Sequence, residues 1–161
     1  MMEPVTPPEA LFIRMDDCLE RLLARSRAVC VLLADISGQL LVDKGKDAGF
    51  DTSALAAVTA SNMAAMAELA RQVGETTPFS YLFHEGQRRS IYVSAVAETL
   101  LLVIIFDEMS QVGLVRIFAR LATNELLGIA AELEPWLEKA SSIVDEEFGD
   151  AVAEGLDRAF I

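Results

Sequence analysis

The chain has 161 residues, 53% of them hydrophobic and 24% charged, with a formal net charge of −12. That length makes one domain, or one domain with a tail, and allows a proper core; the composition excludes a disordered chain. The negative balance argues against nucleic-acid binding, which needs a clustered positive face, and against docking on anionic lipid.

Met1–Pro8 reads as a short proline-bearing leader, with Thr6 placed to cap a first helix and Pro7 at its first position. That helix runs to about Arg25, with Leu11, Met15, Leu19, Leu22 and Leu23 as its apolar face. Ala28–Ala34 and Gln39–Asp43 read as two strands joined through Asp35, Ile36, Ser37 and Gly38, a hairpin. Cys30 falls in the first strand as a small buried residue, and two cysteines make no disulfide framework. No secretion signal is visible, and the longest apolar run, Leu100–Phe106, is too short to span a bilayer. A soluble, cytoplasmic protein without membrane insertion is expected.

Lys44–Phe50 is a polar loop, after which Asp51 or Thr52 caps a long central helix reaching Val73. Gly74 is placed to end it and Pro78 to keep it ended. At 100° per residue, Leu55, Val58, Thr59, Asn62, Met66, Leu69 and Val73 form the stripe expected to lie on the sheet. The opposite face carries Ala57, Ala60, Ser61, Ala64 and Ala67, with charge only at Glu68 and Arg71. Alanine is the best helix former and costs nothing on a surface, which is one explanation. The other is that small residues admit a second backbone, so that the helix has a partner; the shortage of Lys and Glu favours it.

Phe79–His84, Ser90–Ala95 and Thr99–Phe106 read as three strands, the last apolar at every position but its first and hence central. A third helix, Gln111–Leu133, has Val115, Phe118, Ala122, Leu126, Ile129 and Leu133 on one side and Arg116, Arg120, Asn124 and Glu132 on the other. Pro135 is expected to stop it. Residues 1–134 are then the domain and 135–161 a tail, in which Trp136–Ile161 carries seven acids against two bases. Phe148, Val152, Leu156 and Phe160 recur there every four residues, as in a short amphipathic helix. Such a helix is marginal alone and is expected to meet a partner's basic surface; the alternative is that Trp136 and Phe148 fold it back on its own domain.

Chemistry is sparse. His84 is the only histidine and lacks the partners a metal site or a base needs. No glycine-rich phosphate loop with a following lysine is present. Asn62, on the expected buried face, needs a hydrogen bond and is read as bonding nearby main chain. No enzyme activity, metal or cofactor is expected.

The segment order, with VLLADISGQLLVD, DTSALAAVTASNMAAMAELARQVGE, FHEGQRRSIYVSAV and TLLLVIIFDEMSQVGLVRI, resembles the roadblock/dynein light-chain family over about Ala28–Glu132. The most telling parts are TASNMAAM, FHEG, and the strand ending with Phe106, Asp107 and Gly113. The resemblance implies an α-β-β-α-β-β-β-α sandwich with a five-stranded antiparallel sheet, the central helix on one face and the terminal helices on the other. It implies a homodimer formed through the central helix and third strand, with Ala57–Glu68 and Phe79–His84 as the pairing surface. Ala57, Ala60, Ser61, Ala64, Ala67, Glu68, Phe79, Tyr81 and Phe83 are its candidate contacts, and Glu68 departs from a platform of small residues. It further implies a small Ras-like GTPase of the MglA type as partner, activated in cell polarity or motility by remodelling of its switch regions. Two other readings stand beside it: a scaffold subunit of the same fold, and a small-ligand sensor, which the lack of convergent polar groups on the apolar strands disfavours.

Overall fold

The computed structural model describes residues 8–45 and 49–159, with the backbone alone over most of residues 137–159. Thr6 and Phe160, and the side chains of Phe148, Val152 and Leu156, lie outside what is described. The elements are α1 (Pro8–Ser26), β1 (Cys30–Asp35), β2 (Leu40–Gly45), α2 (Thr52–Gln72), β3 (Tyr81–His84), β4 (Ser90–Val96), β5 (Leu100–Phe106) and α3 (Val112–Ala159). The strands form one antiparallel sheet in the order β2-β1-β5-β4-β3. β5 is buried at all seven positions and lies centrally, as its unbroken apolar run requires.

Strand alternation divides the core in two. Val31, Leu33, Tyr92, Leu102, Ile104 and Phe106 point to one face and meet Leu11, Met15, Leu19 and Leu22 of α1 and Val115, Leu126 and Ile129 of α3. Cys30, Leu32, Ala34, Val93, Val103 and Ile105 point to the other and meet Ala56 of α2, with Leu55 and Met63 packed at its margin. Ion pairs Arg14–Glu132 and Arg21–Glu125 sit two turns apart along both helices and fix α1 antiparallel to α3. The Gly38 turn brings the β1–β2 hairpin against α2. Its φ is +94°, and a Cβ there would stand 2.9 Å from the Ala57 Cα.

That close approach corrects the expected phase of α2. Leu55, Thr59, Asn62 and Met66 do turn toward the sheet, but Val58, Leu69 and Val73 are exposed, and Ala56, Ala60 and Ala70 are buried instead. The helix is rotated by roughly a quarter turn from the expected stripe. Small residues bring the helix axis close to the sheet, whereas the expectation gave the inner face to the largest apolar side chains.

The second correction concerns α3, which does not stop at Pro135 but runs through it for 48 residues. An internal proline loses one hydrogen bond and clashes with the preceding turn, costing about 3 kcal/mol. Good helix formers flank it on both sides, from Ala130 to Glu134 and from Leu137 to Ala140, and Trp136 packs against the core just beyond. The expected buried stripe is otherwise in place: Val115, Ala122, Leu126, Ile129 and Leu133 are buried and Phe118 is half-buried.

Candidate interaction surface

Local chemistry holds α2 firmly at its start. Asp51 caps it, accepting from the Ala54 N–H at 3.0 Å, and the Thr52 hydroxyl donates to Asp43 of β2 at 2.8 Å. Past its C-terminus Gly74 takes a φ of +88°, the left-handed conformation expected of it. The outward side presents Ala57, Ser61, Ala64 and Glu68, together with Val58 at 68% exposure and Val73 at 66%. Of the expected contacts, Ala60 is buried at 7% against its own sheet and Ala67 is half-buried, so Ala60 is not available to a partner. The apolar character lost there is replaced by Val58, Leu69 and Val73, which the periodicity alone turns inward. Glu68 pairs with Arg71 and accepts from the Gln72 amide at 2.9 Å, so its charge is tied back along the helix.

The second part of the surface is β3, a terminal strand whose outer edge pairs with no other strand among the described residues. Tyr81 and Phe83 lie on the α3 side of the sheet, stacked on Tyr92 and Phe106 with ring centroids 5.4 and 6.0 Å apart, and both remain partly exposed. Phe79 precedes the strand and is half-buried. The expected contacts thus divide between the outer side of α2 and the opposite face of the sheet edge, with β3 between them. The Asn62 Nδ2 and His84 Nε2 stand 3.0 Å apart and pin α2 to β3. In that orientation the amide donates and the unprotonated Nε2 accepts. This corrects the expected main-chain partner of Asn62 and gives His84 a positioning role.

An exposed strand edge beside an apolar helix face suits backbone pairing with another chain and close helix approach. Elsewhere the carboxylates of Asp16, Asp17 and Glu20 lie within 4.8 Å of one another, but Lys44 Nζ sits 2.8 Å from Asp16 and offsets the local charge. No described helix is long and apolar enough to cross a membrane. Sequence reasoning missed a polar groove between β3, β4 and α3. Its one legible signal was Arg116 and Arg120, a turn apart and opposite an aromatic strand.

The described residues form a five-stranded antiparallel sheet with one helix on one face and two on the other. Residues 15–106 match the Roadblock/LC7 domain, and the chain belongs to that family. It is similar to Myxococcus xanthus MglB at 37% identity, with a TM-score of 0.74 over 81% of this chain and 96% of that one. The gliding protein MglB of Thermus thermophilus is 31% identical, with a TM-score of 0.73 over 82% and 99% of the two chains. An MglB described as having a tetrameric arrangement is 32% identical, with a TM-score of 0.74 over 82% and 98%. None of the curated proteins matches.

Proposed function

We propose that the protein is a homodimeric activator of a small Ras-like GTPase of the MglA type, acting in the cytoplasm in cell polarity or motility. The dimer forms through the outer side of α2 and the free edge of β3, and the GTPase is stimulated by remodelling of its switch regions. Residues 1–134 are the dimerising domain, and residues 135–161 are an arm that engages the GTPase through Phe148, Val152, Leu156 and Phe160. The observation that carries this reading is the exposed row of Ala57, Val58, Ser61, Ala64 and Leu69 beside an unpaired strand edge, in a chain similar to MglB. Single-turnover GTP hydrolysis by the partner GTPase, with and without the protein, tests it. Acceleration supports an activator; binding without acceleration supports the scaffold reading instead.

The activator is expected to supply no catalytic arginine. Arg71 is bound to Glu68, Arg89 lies over the Phe50 ring and Arg116 bonds Tyr81, while Arg88 and Arg120 are exposed. An inserted arginine is worth a rate factor of about 10³–10⁵. Replacing each of the five by alanine should leave stimulation within about tenfold when binding is saturated. A loss on that larger scale from any one would identify a finger and sink the remodelling mechanism.

A further inference from the structure

On the sheet face opposite α2, strands β3 and β4 and the first turns of α3 enclose a groove of about 650 Å³, a size in the ligand-binding range. Arg116 and Arg120 stand one turn apart on its α3 wall. The Arg116 guanidinium lies 5.0 Å from the Tyr81 ring centroid and donates to the Tyr81 hydroxyl at 3.1 Å. Among the described residues, Arg14, Arg21, Lys44 and Arg71 each meet a carboxylate, whereas Arg25, Arg27, Arg88, Arg89, Arg116 and Arg120 do not. Arg116 and Arg120 are the two of these that line the groove, and no acidic side chain lines it with them. Two cations without acidic partners, in a chain of net charge −12, make a local positive spot on a negative molecule. Beside them Ile117 and Leu121 are 57% and 52% exposed, an apolar ledge against a polar floor where Ser94 and Thr123 hydroxyls stand 3.3 Å apart.

We infer that this groove binds an acidic amphipathic peptide segment of a partner protein, two carboxylates meeting Arg116 and Arg120 while an apolar side chain covers Ile117 and Leu121. Side chains one helical turn apart, about 6 Å between their Cβ atoms, suit two separate carboxylates. A bare phosphate would leave the ledge in water, and nucleic acid would be repelled by the molecule as a whole. The acidic run at the far end of α3 does not serve in cis. α3 is continuous, and at 1.5 Å per residue Asp150 lies about 45 Å along it from Arg120. The site lies across the sheet from α2 and does not rest on the proposed GTPase activity, although its β3 wall includes Tyr81, one of the expected dimer contacts, so that a second copy paired on β3 would border the groove.

The test is fluorescence anisotropy with a labelled helical probe peptide bearing Glu at i and i+4 and Leu on the adjoining face, against its Glu→Gln counterpart. The acidic peptide should bind, more weakly as salt is raised, and the Gln peptide should bind several-fold less tightly, since both charge-assisted contacts are lost. Arg116→Gln with Arg120→Gln should give a similar loss at unchanged thermal unfolding. If the Arg116–Tyr81 contact proves necessary for folding, Arg120→Gln alone should still weaken binding several-fold. Ile117→Ser should weaken it with both arginines present. Equal binding of the two peptides, full affinity in the arginine variants, or displacement by inorganic phosphate at the peptide's own concentration would overturn the assignment.

Discussion

Asn62 and Cys18 show how differently single residues are settled by their surroundings. Asn62 finds the side chain of His84, 22 positions away and across a helix–strand boundary that local sequence does not disclose. Cys18 has simpler physics. It is buried on α1 with its Sγ 3.9 Å from the Ala122 carbonyl; burial first, and the neighbouring Glu125 charge second, push its thiol from 9.0 up to about 12. Cys30 is also raised, by burial and then by Asp43. A thiol neutral in the fold but free to ionise when unfolded contributes stability below pH 9, and that contribution is lost as the pH rises toward 12. The melting temperature should therefore fall with a steepening slope above pH 9, and Cys18→Ala should flatten that slope while costing on the order of 1 kcal/mol at neutral pH as a small cavity. A slope unchanged in the variant would place the alkaline loss elsewhere. Both thiols should also resist alkylation at pH 8 until denaturant is added.

At the scale of elements, α2 carries the sharpest expectation. Ala64 is exposed on its outer side, where a long cation would stand between two helices meant to approach closely. A stable interface removes at least about 1,000 Å² from water, so Ala64→Arg should convert a dimer to monomers or aggregates in sedimentation runs at micromolar concentration. A monomeric wild type would refute the dimer; a sound Ala64→Arg dimer that no longer binds the GTPase would assign the face to the GTPase. The strands, their order along the chain and the apolar stripe of α3 were legible because period and burial coincide there, as in β5, where every side chain is covered. The phase of α2 was not. Alanines satisfy either face of a helix, and only the approach of Gly38 decides that Ala60 goes inward while Val58 stays out. The groove beside Arg116 was illegible for a related reason, since its floor comes from Tyr81 and Ser94 on strands that meet only in the folded sheet. Its hydroxyls and arginines also remove the reason for discounting a ligand-binding role, because convergent polar groups are present after all.

For the whole molecule, the continuity of α3 changes what its acidic end can do. Trp136 packs against the core, and the helix then runs on to Ala159. At 1.5 Å per residue that leaves about 36 Å of helix beyond Pro135. The arm concentrates negative charge, with Asp145, Glu146, Glu147, Asp150, Glu154 and Asp157 all in its stretch from residue 145 onward. An anionic arm is suited to a basic patch on a partner. The proposed partner is the GTPase, with the four-residue apolar repeat Phe148, Val152, Leu156 and Phe160 as the docking stripe. Deleting Glu146–Ile161 should therefore leave the dimer and its melting temperature nearly unchanged, weaken GTPase binding, and flatten the dependence of that binding on salt, because the charges that steer it are gone. Calorimetric titrations at several ionic strengths, paired with thermal unfolding of both forms, measure all three. A large fall in melting temperature would instead mean that the arm is part of the fold's own packing, and its role as a docking element would have to be abandoned.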